Sequence, residues 1–218
     1  MVKIERTQTP PASLAVQKLK PNGSYKEQDV IHQLYADFYE KCYLCEQNEL
    51  QSAEVEHLLP HHNGHDIERK FDWNNLFLSC AHCNSVKNRK KYEENIIDCC
   101  RVEPEKLIHQ ELCDGKVCVT ALEDMQEAKT TAALVEECFE LRNHAIREKE
   151  CQVKVRALQL TMNLLYKELK KYRENRTERS LKVLRGMLNR EYKFAGFTRT
   201  YVRDNLDLYP ELAPYVTL

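Results

Sequence analysis

The spacing of apolar positions changes several times along the chain. Residues 26–40, KEQDVIHQLYADFYE, put Val30, Ile31, Leu34, Tyr35 and Phe38 on one helical face, which predicts a helix leading into Cys42. Ahead of it, Pro10, Pro11, Pro21 and Gly23 predict an extended start. Two short β-prone stretches follow, around Ala53–His57 and Leu76–Ser79, separated by a His-rich loop containing Gly64, and a basic helix is expected from near Asn84. LIHQELCDGKVCVT sets Asp114-Gly115 between strand-like flanks, which predicts a hairpin over about 107–120. From about 123 onward the pattern is helical, and Val155, Leu158, Met162, Leu165, Leu169 and Tyr172 recur at heptad spacing. Fewer than three heptads are sustained, which favours an amphipathic helix packed within its own domain over a coiled-coil seam.

With 218 residues, 42% of them hydrophobic, the chain can bury a conventional core, and it carries no low-complexity tract or internal repeat. The N-terminus lacks the apolar core of a signal peptide and no stretch approaches the roughly 20 apolar residues of a membrane span, so a soluble, cytoplasmic protein is expected. In that compartment ten cysteines argue for metal rather than disulfides. The net charge of −1 conceals a polarity: residues 103–150 sum to −6 and residues 154–203 to +10.

Cys42-Tyr-Leu-Cys45 and Cys80-Ala-His-Cys83 are two CxxC knuckles 34 residues apart, a pairing that lets four thiolates converge on one structural Zn2+. A closed shell of four thiolates leaves no open position, so this zinc should do no chemistry. His82 reads as an exposed knuckle residue rather than a substitute ligand. The other six cysteines, Cys99, Cys100, Cys113, Cys118, Cys138 and Cys151, lack ligand spacing and read as small buried hydrophobes.

Between the knuckles lies AEVEHLLPHHNGHDIERKFDWNNLFLSC, and just behind the second come Asn84, Lys87 and Asn88. The run Val55-Glu56-His57, then Asn75, then Asn84 directly after a CxxC, resembles the HNH nuclease motif, in which two strands and a helix hold one divalent metal. The match covers roughly residues 40–92. It implies an endonuclease that hydrolyses phosphodiester bonds of nucleic acid, DNA ahead of RNA, with His57 as general base. Glu56 and Asn84 would be oxygen ligands of a catalytic Mg2+ or Mn2+, and Asn75 would brace the loop that carries the base. Many members have His at the last motif position and Asp before the base; the harder oxygens of Asn84 and Glu56 tilt the metal toward magnesium or manganese. Lys87, Arg89, Lys90 and Lys91 are expected to contact phosphate. His61, His62 and His65 in the intervening loop receive no role.

The expected fold is α+β, a zinc-bound ββα-metal HNH core embedded among helices, with a β-hairpin and a mainly helical C-terminal half. Residues 1–100 form the nuclease domain and 101–218 the hairpin and helical region. The wider context, KIERTQTPP, WNNLFLSCAHCNSVKN, IIDCC and the Asp-Gly hairpin, looks like the HNH subunit of Septu-type and retron-associated anti-phage systems. That resemblance implies a prokaryotic defence effector working with an ABC/SMC-like ATPase, the acidic segment facing protein and the basic one nucleic acid. Two other readings stay open: a zinc-stabilised nucleic-acid-binding module without catalysis, and a stand-alone restriction-like nuclease.

Overall fold

Strand β1 (Ala53–His57) pairs antiparallel with β2 (Leu76–Cys80), and α4 (Ala81–Lys87) follows β2 without a loop. The register sets Val55 opposite Leu78, Glu56 opposite Phe77 and His57 opposite Leu76. The Cys80 sulfur accepts the Cys83 N–H at 3.4 Å, so the knuckle itself caps α4. This helix starts three residues before the position expected from sequence and ends at Lys87, which leaves Arg89 outside it and Lys90–Tyr92 on a separate 3-10 turn. The computed structural model describes residues 1–140 and 145–218, with side chains except at 145–148. The acidic segment expected over 103–150 therefore lies partly outside the described residues.

Helix α2 (Gln28–Asp37) buries Val30 and Leu34, as its pattern requires, and Phe38 beyond it meets Phe77 of β2 edge-on at 5.5 Å between centroids. The start of the chain is not extended throughout: α1 (Ala12–Lys18) forms directly after Pro11. Proline suits a helix start because its missing N–H would have no helical partner there. Asp29 accepts the Ser13 N–H at 3.0 Å and thereby ties α1 to α2. A short α3 (Ile67–Phe71) lies in the loop between β1 and β2, with Asp66 capping it by accepting the Arg69 N–H.

The hairpin forms as expected, β3 (Ile108–Cys113) against β4 (Lys116–Ala121), with Asp114 and Gly115 both at positive φ, 49° and 76°. Beyond it come α5 (Gln126–Glu137), α6 (Ala145–Glu174), α7 (Glu178–Met187), α8 (Ala195–Asp204) and α9 (Ala213–Val216), which with the ββα unit make the fold α+β. Leu158, Met162, Leu165, Leu169 and Tyr172 of α6 are buried in the chain's own core, so the heptad spacing serves internal packing. Several polar contacts cross residue 100. Lys41 donates to the Tyr192 carbonyl at 2.9 Å, Phe194 N–H to the Glu46 carbonyl at 3.1 Å, and the buried Glu105 carboxylate holds Arg199 at 2.9 Å. No helix among the described residues is long and apolar enough to cross a membrane.

Candidate active site and four-cysteine centre

The two knuckles converge. The Sγ atoms of Cys42, Cys45, Cys80 and Cys83 all lie within 4.8 Å of one another. A tetrahedral zinc with bonds of about 2.3 Å would separate its sulfurs by about 3.8 Å, so the cluster is compatible with a structural zinc. Burial works against ionising Cys42, yet hydrogen bonds from the Cys45, Cys80 and Cys83 thiols hold it well below the ordinary thiol value. Burial pushes Cys45 and Cys83 well up. Four thiols at this separation, three of them buried, ionise together only beside positive charge.

Part of that charge comes from a residue far away in sequence. Lys154 of α6 is only 2% exposed, and its Nζ lies 3.2 Å from Cys83 Sγ, 3.8 Å from Cys80 Sγ and 3.4 Å from the Cys138 carbonyl. Burial works to lower this ammonium, but Cys45, Cys83 and Cys80 outweigh it and hold Lys154 well above its ordinary value. Among the described residues no carboxylate lies within ion-pair reach of it, so the thiolates are its counter-charge. Four thiolates and one zinc carry a net −2, which Lys154 halves. Replacing it with the uncharged Lys154→Met is expected to weaken zinc retention about 10- to 100-fold, the usual cost of losing a partner behind a metal's ligands. Chelator competition against a metallochromic dye measures this; unchanged zinc release would remove the assigned role.

His82 departs from expectation. It is buried, with Nδ1 3.1 Å from Glu150 and Nε2 3.4 Å from Cys151 Sγ, and so joins α4 to α6. The distances are those of a thiol–imidazole–carboxylate triad, but Cys151 is 1% exposed and burial pushes its thiol up, so it is not placed to attack a substrate. Of the remaining cysteines, Cys99 and Cys138 are buried and Cys100 and Cys118 half-buried, whereas Cys113 is exposed beside the hairpin turn.

On the other side of the ββα unit, Glu56, His57, Asn84, Lys87, His61 and Tyr25 are among the residues lining one cavity of about 360 Å³. His57 Nε2 lies 3.1 Å from the Lys70 carbonyl. A carbonyl only accepts, so Nε2 carries the proton and Nδ1 is left with its lone pair. Burial is the main cause that pushes His57 down to about 4, with the Lys70 carbonyl opposing it, and the ring is neutral near pH 7. The rings of Tyr25 and His61 stand 4.5 and 4.4 Å from it and fix its plane.

Asn75 ties down the turn after the base. Its Oδ1 accepts the Leu59 N–H at 2.8 Å, and its Nδ2 donates to the Leu59 and Arg69 carbonyls at 2.9 and 3.0 Å. The buried amide thus holds both the segment following His57 and the helix whose Lys70 carbonyl orients that ring.

Glu56 is 2% exposed; Tyr43 donates its hydroxyl to Oε2 at 2.9 Å, and Lys87 Nζ lies 2.7 Å from Oε1 as an ion pair whose angles miss those of a hydrogen bond. Burial raises the carboxyl, and Lys87 and Tyr43 pull it back. Lys87 itself is 4% exposed and also donates to the His57 carbonyl at 3.0 Å. Lys87, expected from sequence to contact phosphate, here holds the Glu56 carboxylate within the cavity it lines: a lysine on the buried face of α4 meets a buried carboxylate first. Arg89 and Lys91 likewise pair with Glu137 of α5, Lys91 at 2.5 Å, while Tyr92 donates to the same carboxylate at 2.5 Å. Of the four basic residues expected to meet phosphate, Lys90 is exposed with no ion pair among the described residues.

The donors at this cavity, the Glu56 carboxylate and the Asn84 amide oxygen, are of the hard kind that a divalent cation takes, but here Tyr43 and the Lys87 ammonium hold the two Glu56 oxygens, so a cation on that carboxylate would have to share or displace Lys87. Tyr43, Lys70 and Lys154 were not singled out from sequence, and His61 was noted there without a role. Of these, Lys154 alone lies outside the stretch that carries the motif. Residues 42–90 match the family model for HNH endonuclease. No curated protein matches the chain. The four-thiol cluster and the pocket residues Glu56, His57 and Asn84 all lie within the span that matches the HNH endonuclease model.

Proposed function

We propose that the chain is a divalent-metal-dependent endonuclease that hydrolyses phosphodiester bonds, with DNA as its substrate, at the cavity shared by Glu56, His57 and Asn84. The observation that carries this reading is the fixed tautomer of His57: with Nε2–H committed to the Lys70 carbonyl, the free Nδ1 belongs to a neutral base. Nδ1 takes a proton from water as the water oxygen bonds to phosphorus and the bond to the leaving oxygen breaks. Glu56 and Asn84 would hold Mg2+ or Mn2+, which when bound supplies charge on the phosphate and on the leaving oxygen. Tyr43 and Lys87 keep the Glu56 carboxylate oriented, and Asn75 keeps the base-bearing segment in register. The four-cysteine zinc ties the Cys42–Cys45 turn to the junction of β2 and α4, with Lys154 of α6 against its sulfurs, and takes no part in chemistry.

The sequence likeness to anti-phage HNH subunits supports a defence effector in the cytoplasm that works with an ABC/SMC-like ATPase. Helix α6 offers exposed Val153, Leu160 and Leu164 as apolar surface for such a partner. The test is cleavage of plasmid DNA and of RNA by the zinc-loaded chain, with and without any ATPase encoded beside its gene, under EDTA, magnesium or manganese. Magnesium- or manganese-dependent cleavage of DNA is expected. Absence of cleavage on every substrate, with partner present, would leave a zinc-stabilised binding module. Full activity without the partner at fixed flanking sequences would favour a stand-alone restriction-like enzyme.

A further inference from the structure

The loop between β1 and α3 is built around one histidine. Three successive residues after it, His62, Asn63 and Gly64, have φ of +49°, +55° and +89°. The first two are not glycine, and a left-handed conformation costs such residues free energy that the surroundings must supply. The turn folds back so that Gly64 N–H donates to His61 Nδ1 at 2.8 Å, while the His61 carbonyl accepts Gly64 and Asp66 N–H, each at 3.1 Å. His61 lines the same cavity as Glu56, His57 and Asn84, and its ring lies 4.4 Å from that of His57.

The backbone bond fixes the His61 tautomer. Nδ1 accepts, so a neutral ring carries its proton on Nε2, the same tautomer as His57 but with the opposite nitrogen left free. One pocket thus holds two neighbouring imidazoles with opposite offers, a free lone pair on His57 Nδ1 and a free N–H on His61 Nε2. A neutral imidazole is too weak an acid to hand over this proton, but it is a competent hydrogen-bond donor. Building on the nuclease reading, we infer that His61 is a substrate-binding residue whose Nε2–H donates to a non-bridging oxygen of the scissile phosphate and stabilises the charge that grows there in the transition state. Its strained loop then has a function: it holds a donor fixed beside the base.

Two substitutions separate this role from loop bracing. His61→Asn keeps an oxygen near the position of Nδ1, able to accept from Gly64, and removes the distal N–H. His61→Gln places an amide N–H near the position of Nε2. Cleavage of a short DNA duplex by the zinc-loaded full chain with manganese is measured as kcat and KM for wild type, both variants and His61→Ala, with zinc content and circular dichroism as folding controls. A loss of about 10- to 100-fold in kcat is expected for Ala and Asn, at or below the usual effect of removing one preorganised donor because the ring is half-exposed. Partial recovery is expected for Gln. Wild-type kcat in the Asn variant, or equal loss in Gln and Ala, overturns the donor role while leaving the nuclease reading intact. Failure of that reading looks different, since wild type itself would not cleave even with any required ATPase present, and it would overturn this inference with it.

Discussion

His57→Ala is expected to lower the rate of phosphodiester cleavage about 10²- to 10⁴-fold, the range contributed by a positioned general base. The loss should appear in kcat, because the ring's free Nδ1 acts on water and not on the bound nucleic acid. Folding should survive: His57 is half-buried at the end of β1, and among the described residues the only hydrogen bond of its side chain is to one carbonyl, which can turn to water. The variant should therefore retain zinc and its cooperative melting while losing cleavage, measured as initial rates of supercoiled plasmid relaxation. A variant with near wild-type rates would show that another group accepts the proton.

Removing the zinc should have the larger effect on structure. Structural zinc contributes on the order of 10 kcal/mol of apparent binding free energy, comparable to the whole stability of a domain. In Cys80→Ser the loss extends beyond the knuckles. Cys80 also caps α4, and Lys154 of α6 lies buried against the same sulfurs. Without thiolates that ammonium has no counter-charge within reach among the described residues, so α6 should leave the core together with the knuckles. Circular dichroism and thermal melting of the zinc-free variant are expected to show loss of the cooperative transition. Melting at the wild-type temperature without zinc would mean that the hydrophobic core alone holds α6 in place.

What could be read from the sequence was local. The β-prone stretches at Ala53–His57 and Leu76–Ser79, the Asp114-Gly115 turn and the spacing of α6 each reflect interactions between near neighbours, and the structure places β1, β2, β3, β4 and α6 there. The four cysteines were legible because metal geometry constrains spacing within each knuckle. The partners of the site were not legible. Lys154 stands 71 residues from Cys83, and nothing in VKVR distinguishes a lysine that will be buried from one that stays in water. Lys87 looked like a phosphate contact because sequence reports charge and not the face of a helix, and Glu56 was not recognised as its partner. The role of Lys70 is carried by its backbone carbonyl, which no side-chain motif can reveal. Helix α1 escaped notice because Pro10, Pro11 and Pro21 surround a segment with a single buried side chain, Leu14.

The most direct test of the account is single-turnover cleavage of supercoiled plasmid by the zinc-loaded chain, with any required ATPase present, comparing wild type and His57→Ala with and without added magnesium or manganese. Cleavage by wild type only when the divalent metal is added, with the variant slower by at least about 100-fold, is the result the account predicts. Cleavage that ignores the added metal, or that His57→Ala carries out at the wild-type rate, would contradict it.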